Sequence, residues 1–228
     1  LISPVTDSYV QVHMAKTASN VFVCHHSNVT GTYYKLNFAG SVVTSTTKGI
    51  AQITPGSPNI PWGISSNIYS NVWYVAYVAF SKVPYVLAID TSTLATLGST
   101  SIPAIAITSI GICENTLGQG ISMAVSRDAS YSGTFTQVYS LLFNGTTFSN
   151  SNWWLQTQRR IVIAACPFVY NGETYLPVTS PESKNRSGFL IKVYPAGPHI
   201  VNIFSPASIF VDENTVSKSV NIGTNYVS

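Results

Sequence analysis

The sequence predicts an all-β chain that folds as a β-propeller of four-stranded antiparallel blades. Three observations support this prediction. Similar segments recur roughly every fifty residues, each segment contains four short apolar runs, and the connectors between runs are rich in Gly, Asn, Ser and Thr. A repeat of about fifty residues with four strands is typical of a propeller. No segment keeps a helical apolar period over about three turns, so we expect almost no helix.

The third strand of each unit shows the repeat most clearly. The last residues of these strands, Phe38, Asp90, Phe143 and Tyr194, lie 52, 53 and 51 residues apart. Short turns such as Asn144-Gly145 follow them, and Gly and Asn tolerate the positive φ that tight hairpins require. The predicted third strands are Tyr33–Phe38, Tyr85–Asp90, Val138–Phe143 and Phe189–Tyr194.

The first two strands of each unit align in the same way. The first-strand runs are Tyr9–Met14, Trp62–Ile68, Ala104–Ile112 and Ile161–Val169, and the second-strand runs are Val21–His25, Val72–Tyr77, Ile121–Ser126 and Thr174–Val178. In the most regular unit, three consecutive strands are predicted at Val72–Val78, Tyr85–Asp90 and Leu94–Thr96. A lone four-stranded sheet has two faces to cover, and stacking the units face to face covers them.

The units define the expected domain organisation. We expect one propeller region over residues 1–208, with blades at about residues 9–47, 61–101, 103–148 and 159–204. Residues 209–228 are an exit strand or the start of a further blade. Propellers commonly have about four to eight blades. The four units therefore close by themselves, belong to a larger or interrupted propeller, or are completed by neighbouring subunits; the start at Leu1 favours a piece of a longer chain.

Composition limits the function classes. Charged residues make up only 8% of the 228 residues, against about 25% in an average soluble domain. This composition favours a protein buried in a large assembly or built for harsh surroundings, and an ordinary β-rich secreted domain is the alternative. The net charge of +3 is scattered, so it does not indicate nucleic-acid binding. No apolar run of about eighteen residues exists, so no membrane span is predicted.

The cysteines and histidines do not form a convincing metal site. Three cysteines, Cys24, Cys113 and Cys166, fall in predicted strands without a C-x-x-C pair, so we interpret them as small buried apolar residues. Cys24-His25-His26 is the tightest metal-capable cluster. Alternation along a strand places its two histidines on opposite faces, where they are poor joint ligands. We expect no metal and no cofactor.

Catalytic patterns are also weak, and we predict that the chain is not an enzyme. The sequence lacks the G-x-S-x-G turn of serine hydrolases. A glycosidase needs two positioned carboxylates, and the chain has eight acidic residues. Two of them, Asp90 and Glu173, occupy hairpin positions where turn chemistry explains their presence.

The sharpest local feature is Trp153-Trp154 followed by Arg159-Arg160. Exposed aromatic rings with nearby guanidinium groups could stack on sugars or contact phosphate. With Tyr131 in the preceding long connection, these residues form a candidate interaction surface. The competing interpretation is that the tryptophans pack between blades and the arginines form ion pairs at a rim.

The fourth unit carries a resemblance to a known group of proteins. Gly172–Pro177, Phe189–Tyr194 and Ile200–Ala207 resemble the end of the propeller in the tail nozzle or hub proteins of short-tailed bacteriophages. The hairpin at Val72–Leu97, with its Val-Leu-Ala-Ile-Asp strand, is similar to blades of that group. The resemblance covers most of the chain, through loose motifs.

The resemblance implies a structural role in the virion tail, in a protein made in the host cytoplasm. Nozzle proteins form a ring around the channel through which DNA leaves, and they contact fibres and adaptors. The implied partners are copies of the chain, other tail proteins, double-stranded DNA in passage and the host surface.

Two other functions remain open from the sequence. One is a carbohydrate- or receptor-binding propeller that uses the loops Glu114–Gly120, Asp128–Gly133 and Ser180–Ser187. The other is an extracellular propeller glycoside hydrolase, which would require a pair of carboxylates in one cleft.

Overall fold

The fold is described by a computed structural model for residues 11–27, 30–50, 63–79, 81–102, 107–116, 118–127, 136–155, 162–163, 167–180, 187–193 and 202–204. These residues form seventeen strands and no helix. Every strand pairing among them is antiparallel. The prediction of an all-β chain is therefore confirmed for the described part, in which no helix could span a membrane.

The strands form four sheets, and each sheet contains consecutive strands. Sheet 1 comprises β1 (Gln11–Lys16), β2 (Asn20–His26), β3 (Thr30–Asn37) and β4 (Val42–Gly49), and sheet 2 comprises β5 (Ile64–Tyr69), β6 (Val72–Val78), β7 (Pro84–Asp90) and β8 (Thr96–Ser101). Sheet 3 comprises β9 (Ile107–Glu114), β10 (Gly120–Arg127), β11 (Thr136–Phe143) and β12 (Phe148–Leu155). Sheet 4 comprises β13 (Val162–Ile163), β14 (Phe168–Tyr170), β15 (Glu173–Ser180), β16 (Ser187–Val193) and β17 (Asn202–Phe204).

Sheet 4 repeats the same plan with one interruption. β13 and β14 pair with opposite ends of β15, on the edge that β16 leaves free. Together they fill the position of a single first strand. The sequence prediction of one continuous strand over Ile161–Val169 is therefore wrong. Pro167 lies just before β14, and proline cannot donate the backbone hydrogen bond that a continuous ladder needs.

The predicted positions of the other strands agree with the structure to within a few residues, with one exception. The third strands end at Asn37, Asp90, Phe143 and Val193, close to the expected repeat. The fourth strand of sheet 2 was expected at Leu94–Thr96, but it begins at Thr96. Leu94 belongs to the turn instead, with a positive φ of 59° and a backbone N–H that donates to the carbonyl of Asp90.

The sheets stack in chain order through their first strands. β1 contacts β5, β5 contacts β9, and β9 contacts β14. Among the described residues this succession does not close on itself. What is established is an all-β stack of four similar sheets.

The described residues form two hydrophobic cores between sheets. Between sheets 1 and 2, Trp73 packs against Phe22 and Tyr33, with aromatic ring centroids 5.3 and 5.5 Å apart. Between sheets 2 and 3, Tyr74 on the other face of β6 packs against Phe143 at 6.1 Å. All seven residues of β6 are buried, because successive side chains enter different cores.

Candidate interaction surface

Sheet 1 packs on sheet 2 with one face, and no other described strand covers its second face. Phe22 and Cys24 point into the core with sheet 2. Cross-strand pairing places Val12, Met14, Val23, Tyr34 and Leu36 on the other side, and we call this set the sheet 1 open face. On this face Val12 is 55% exposed and Met14 63% exposed, whereas Val23 and Leu36 are buried, at 9% and 8%. Val12 and Met14 lie two residues apart on one side of β1, and adjacent exposed apolar side chains of this kind favour a contact surface.

The last sheet also presents an open face, made of aromatic residues. Phe168, Tyr170 and Tyr175 share one side of β14 and β15, and we call this set the sheet 4 open face. Phe168 stacks on Tyr175 with aromatic ring centroids 5.7 Å apart, and Tyr170 meets Tyr175 edge-on at 6.5 Å. The hydroxyl of Tyr175 donates to Glu173 Oε2 at 2.9 Å.

The opposite side of sheet 4 is buried. Thr174 is 2% exposed and Leu176 is fully buried. β14 and β13 contact strands of sheet 3, so this side faces the preceding sheet. Tyr170, by contrast, is 62% exposed. Among the described strands, the stack therefore ends with one face of sheet 1 and one face of sheet 4 that no strand covers.

Polar contacts reinforce the covered interfaces at the first strands. Between sheets 1 and 2, Nδ1 of His13 lies 3.0 Å from Ser66 Oγ and accepts the backbone N–H of Ser66 at 3.1 Å. Between sheets 2 and 3, the backbone N–H of Ile112 donates to Ser65 Oγ at 3.2 Å. Asn67 Nδ2 donates to Glu114 Oε2 at 3.4 Å. Hydrogen bonds of this kind fix which residues meet across a packed interface.

The metal-capable cluster divides as the sequence predicts. Cys24 and His26 are fully buried in the core face of β2, whereas His25 lies on the opposite side beside Tyr34. Burial raises the pKa of the Cys24 thiol to about 12, so this cysteine is an inert apolar residue at neutral pH. No group of three or more His, Cys, Asp or Glu residues gathers within the described ranges.

His26 is a neutral residue of the core. Its Nε2 lies 2.8 Å from the hydroxyl of Tyr33, and its aromatic ring meets Tyr77 edge-on at 4.8 Å. Burial, with a smaller contribution from the neighbouring His25, lowers the pKa of His26 to about 3. Burial also lowers the pKa of His13. Both residues make contacts between sheets 1 and 2, His26 with Tyr77 and His13 with Ser66.

The residues that the sequence suggests as an interaction surface do not belong to the sheet 1 open face or the sheet 4 open face. Trp153 and Trp154 are in β12, opposite Val138 and Gln137, beyond residue 148 where the third unit was expected to end. Tyr131, Arg159 and Arg160 lie outside the described residues. The proposed surface of tryptophans and arginines therefore stays a prediction.

Sequence reasoning missed the two open faces. The run Gln11–Met14 alternates polar and apolar residues as a half-buried strand does, and Phe168–Tyr175 is one aromatic hairpin among several. The pattern shows which residues share a face, but it does not show which sheet is terminal.

No protein-family model matches the sequence, and no curated protein matches it either.

Proposed function

We propose that the four sheets are successive blades of a β-propeller and that the chain is a structural subunit of a bacteriophage tail. In this role it forms part of the nozzle or hub ring at the end of a short tail, surrounds the path of the ejected DNA and docks other tail proteins. The observation that carries the proposal is the repetition of four similar antiparallel sheets that stack in chain order, with hydrophobic cores on both faces of sheet 2.

Physical considerations support a scaffold. Sheets that are covered on both faces form a stiff stack, since interiors are close-packed and transmit strain. Terminal apolar faces provide surfaces for assembly. A net charge of +3 on 228 residues is too small to hold DNA phosphates tightly, which suits a conduit through which DNA must pass. The resemblance of Gly172–Pro177 and Phe189–Tyr194 to tail nozzle proteins adds the specific location.

The proposal is tested by locating the chain in virions. Antibodies raised against the recombinant chain should label one end of purified particles of the phage that encodes it, in negative-stain electron microscopy. The same antibodies, pre-absorbed with the recombinant chain, should not label. Intact, infectious virions that lack the chain by labelling and by mass spectrometry would contradict a tail role.

The sheet 4 open face favours one second candidate, which is carbohydrate binding. Adjacent exposed aromatic rings offer apolar faces on which a sugar ring can stack, and Tyr170 and Phe168 are 62% and 41% exposed. A glycan array should then show binding that Tyr170→Ala abolishes. Phe38→Ala is the matched control, because Phe38 is an equally exposed aromatic residue, at 62%, in a turn of sheet 1. Loss of binding in both variants, or in neither, would contradict a sugar site at the sheet 4 open face.

A further inference from the structure

We propose that the sheet 1 open face of one copy packs on the sheet 4 open face of a second copy, so that copies of the chain join head to tail. This inference rests on the proposed role in a ring, and it names the two surfaces that hold the ring together. Both surfaces carry exposed apolar side chains in the chain by itself, with Met14 63% and Tyr170 62% exposed.

The register places the sheet 4 open face on the side of its sheet that corresponds to the side of sheet 2 covered by sheet 3. In sheet 2, Val72 comes directly after a two-residue turn, and its side of β6 packs on sheet 3. In sheet 4, Glu173 comes directly after the corresponding two-residue turn. Tyr175 shares the side of Glu173, because residues two apart in a strand lie on one face. The sheet 4 open face therefore corresponds to the side of sheet 2 that sheet 3 covers.

The same comparison places the sheet 1 open face on the side of its sheet that corresponds to the side of sheet 2 covered by sheet 1. Asn20 pairs with the end of the third strand in sheet 1, as Val72 does in sheet 2. Val21 and Val23 then correspond to Trp73 and Val75. In sheet 2 that side packs on sheet 1, whereas in sheet 1 no described strand covers it.

The two ends are thus the two halves of one kind of interface. We call the side of a sheet that faces the following sheet its trailing side, and the side that faces the preceding sheet its leading side. Every covered interface among the described sheets joins a trailing side to a leading side. Sheet 4 offers a trailing side and sheet 1 offers a leading side. The described sheets of one chain do not bring these sides together, so we assign the missing half to a second copy.

Charge agrees with this pairing. Lys16 lies on the sheet 1 open side at the end of β1, and Glu173 lies on the sheet 4 open side at the start of β15. Both residues are next to the first hairpin of their sheet, so stacking in the register of the other sheets brings opposite charges to the same level. Such complementarity helps to fix register and partner choice.

The expected contact uses different surfaces on the two partners. A heterologous contact of this type generates a ring when its rotation closes and an open filament when it does not. A self-complementary twofold dimer, in which sheet 1 open faces meet each other, would instead use one surface twice.

Two single substitutions test the interface. Met14→Lys places a charge on the sheet 1 open face, and Tyr170→Lys places one on the sheet 4 open face. Because both sites are exposed within one chain, each variant should fold. Each should weaken self-association on the order of 100-fold, which is the loss typical of a residue that carries much of the binding energy of an interface. Phe38→Lys, at an equally exposed aromatic residue in the turn between β3 and β4, is the matched control.

The measurement is molar mass by light scattering during size-exclusion chromatography. Wild type and Phe38→Lys should be oligomeric, and each of the two face variants should be monomeric. An equimolar mixture of Met14→Lys and Tyr170→Lys should give 1:1 dimers, because one intact face of each kind remains in the mixture. Neither variant should dimerise by itself.

Several outcomes would overturn the inference. A monomeric wild type at every accessible concentration would do so, and protection of Met14 from peroxide in that monomer would indicate closure within one chain. Loss of assembly in Met14→Lys alone would indicate a twofold contact between sheet 1 faces. Glycan binding lost in Tyr170→Lys with an unchanged oligomeric state would assign the sheet 4 open face to a sugar. Each result leaves the antibody labelling of virions as an independent test of the tail role.

Discussion

Adjacent residues of β2 have different environments, and this difference has a consequence for stability. His26 is fully buried between sheets 1 and 2, while His25 is half-buried on the other side of the strand. The strand period of two residues makes this separation predictable from the sequence. The sequence did not reveal which histidine enters the core, because that depends on the sheet that covers β2.

Acid should destabilise the protein through His26. Its pKa is about 3 in the folded chain and about 6.5 when unfolded. The lower folded value means that stability is complete above pH 6.5 and is lost as the pH falls from 6.5 towards 3. The expected loss is about 1.4 kcal/mol for each pH unit in that window. Urea unfolding at pH 7 and pH 5 should show a loss of roughly 2 kcal/mol from this group.

His26→Gln provides the test of that assignment. Glutamine can still bond to the Tyr33 hydroxyl and does not titrate, so this part of the pH dependence should disappear. His25→Gln is the matched control and should retain it. An unchanged difference between pH 7 and pH 5 in His26→Gln would show that another group, such as His13, is responsible.

Asp90 shows a residue whose role the sequence predicts correctly. Its Oδ1 accepts the backbone N–H of Ser92 at 2.8 Å and that of Thr93 at 2.7 Å, and the hydroxyls of both residues also donate to it. These bonds, led by the one from the Ser92 hydroxyl, lower the pKa of Asp90 to about 2. The carboxylate therefore organises the turn between β7 and β8, as expected from its hairpin position.

At the scale of the strands, tight turns set the register. Ser70 and Asn71 both have positive φ, of 49° and 62°, and so do Asn171 and Gly172, at 49° and 76°. Two consecutive residues of this kind form the turn that matches the twist of an antiparallel pair. The two turns give sheets 2 and 4 the same register between first and second strands, which fixes the face on which Tyr170 lies.

A glycine in an outer strand controls how closely sheet 3 approaches sheet 2. A side chain at Gly98 in β8 would collide with the backbone oxygen of Thr146 and would lie 3.0 Å from Cε2 of Phe143. Gly98→Ala should therefore cost about 1–3 kcal/mol, the usual effect of overpacking. Thermal or urea unfolding measures the loss.

Gly49 provides the matched control for Gly98. It ends the outer strand β4, and nothing lies within 4 Å of the position that its Cβ would take. Gly49→Ala should change the free energy of unfolding by less than about 0.5 kcal/mol. Equal effects of the two substitutions would show that the contact with Thr146 does not limit the packing of sheets 2 and 3.

For the whole molecule, burial predicts an order of local stability. All seven residues of β6 are buried, whereas the residues of β1 alternate between half-buried and exposed. In hydrogen exchange, amides of β6 should be protected on the order of tenfold or more above those of β1, because opening β6 disrupts two cores. The Tyr170→Lys variant is the appropriate sample, since it leaves β1 intact and should be monomeric. Equal protection would contradict the view that sheet 1 is an uncovered end.

The sequence predicts the repeat better than the arrangement of the repeats. Alternation and turn residues locate β6 and the strand ends at Asp90 and Phe143, because these features depend on neighbours in the chain. The split first strand of sheet 4 was missed because its residues form one apolar run, interrupted only by Pro167. The open faces were missed for another reason. Exposure of Met14 depends on which sheet comes first, which is a property of the stack and not of local sequence.

Burial of both sides of β6 also restricts which insertions and deletions the sequence can accept during evolution. Inserting a single residue near its start would turn Trp73 towards Phe143 and Tyr74 towards Phe22, and neither direction leads to water. A strand with one solvent-exposed side can tolerate such an insertion, because the misplaced residues are exposed to water. Both sides of β6 are buried, so the insertion would place the wrong side chains in both cores. Length variation should therefore collect in the hairpin loops, while the central strands keep a constant number of residues.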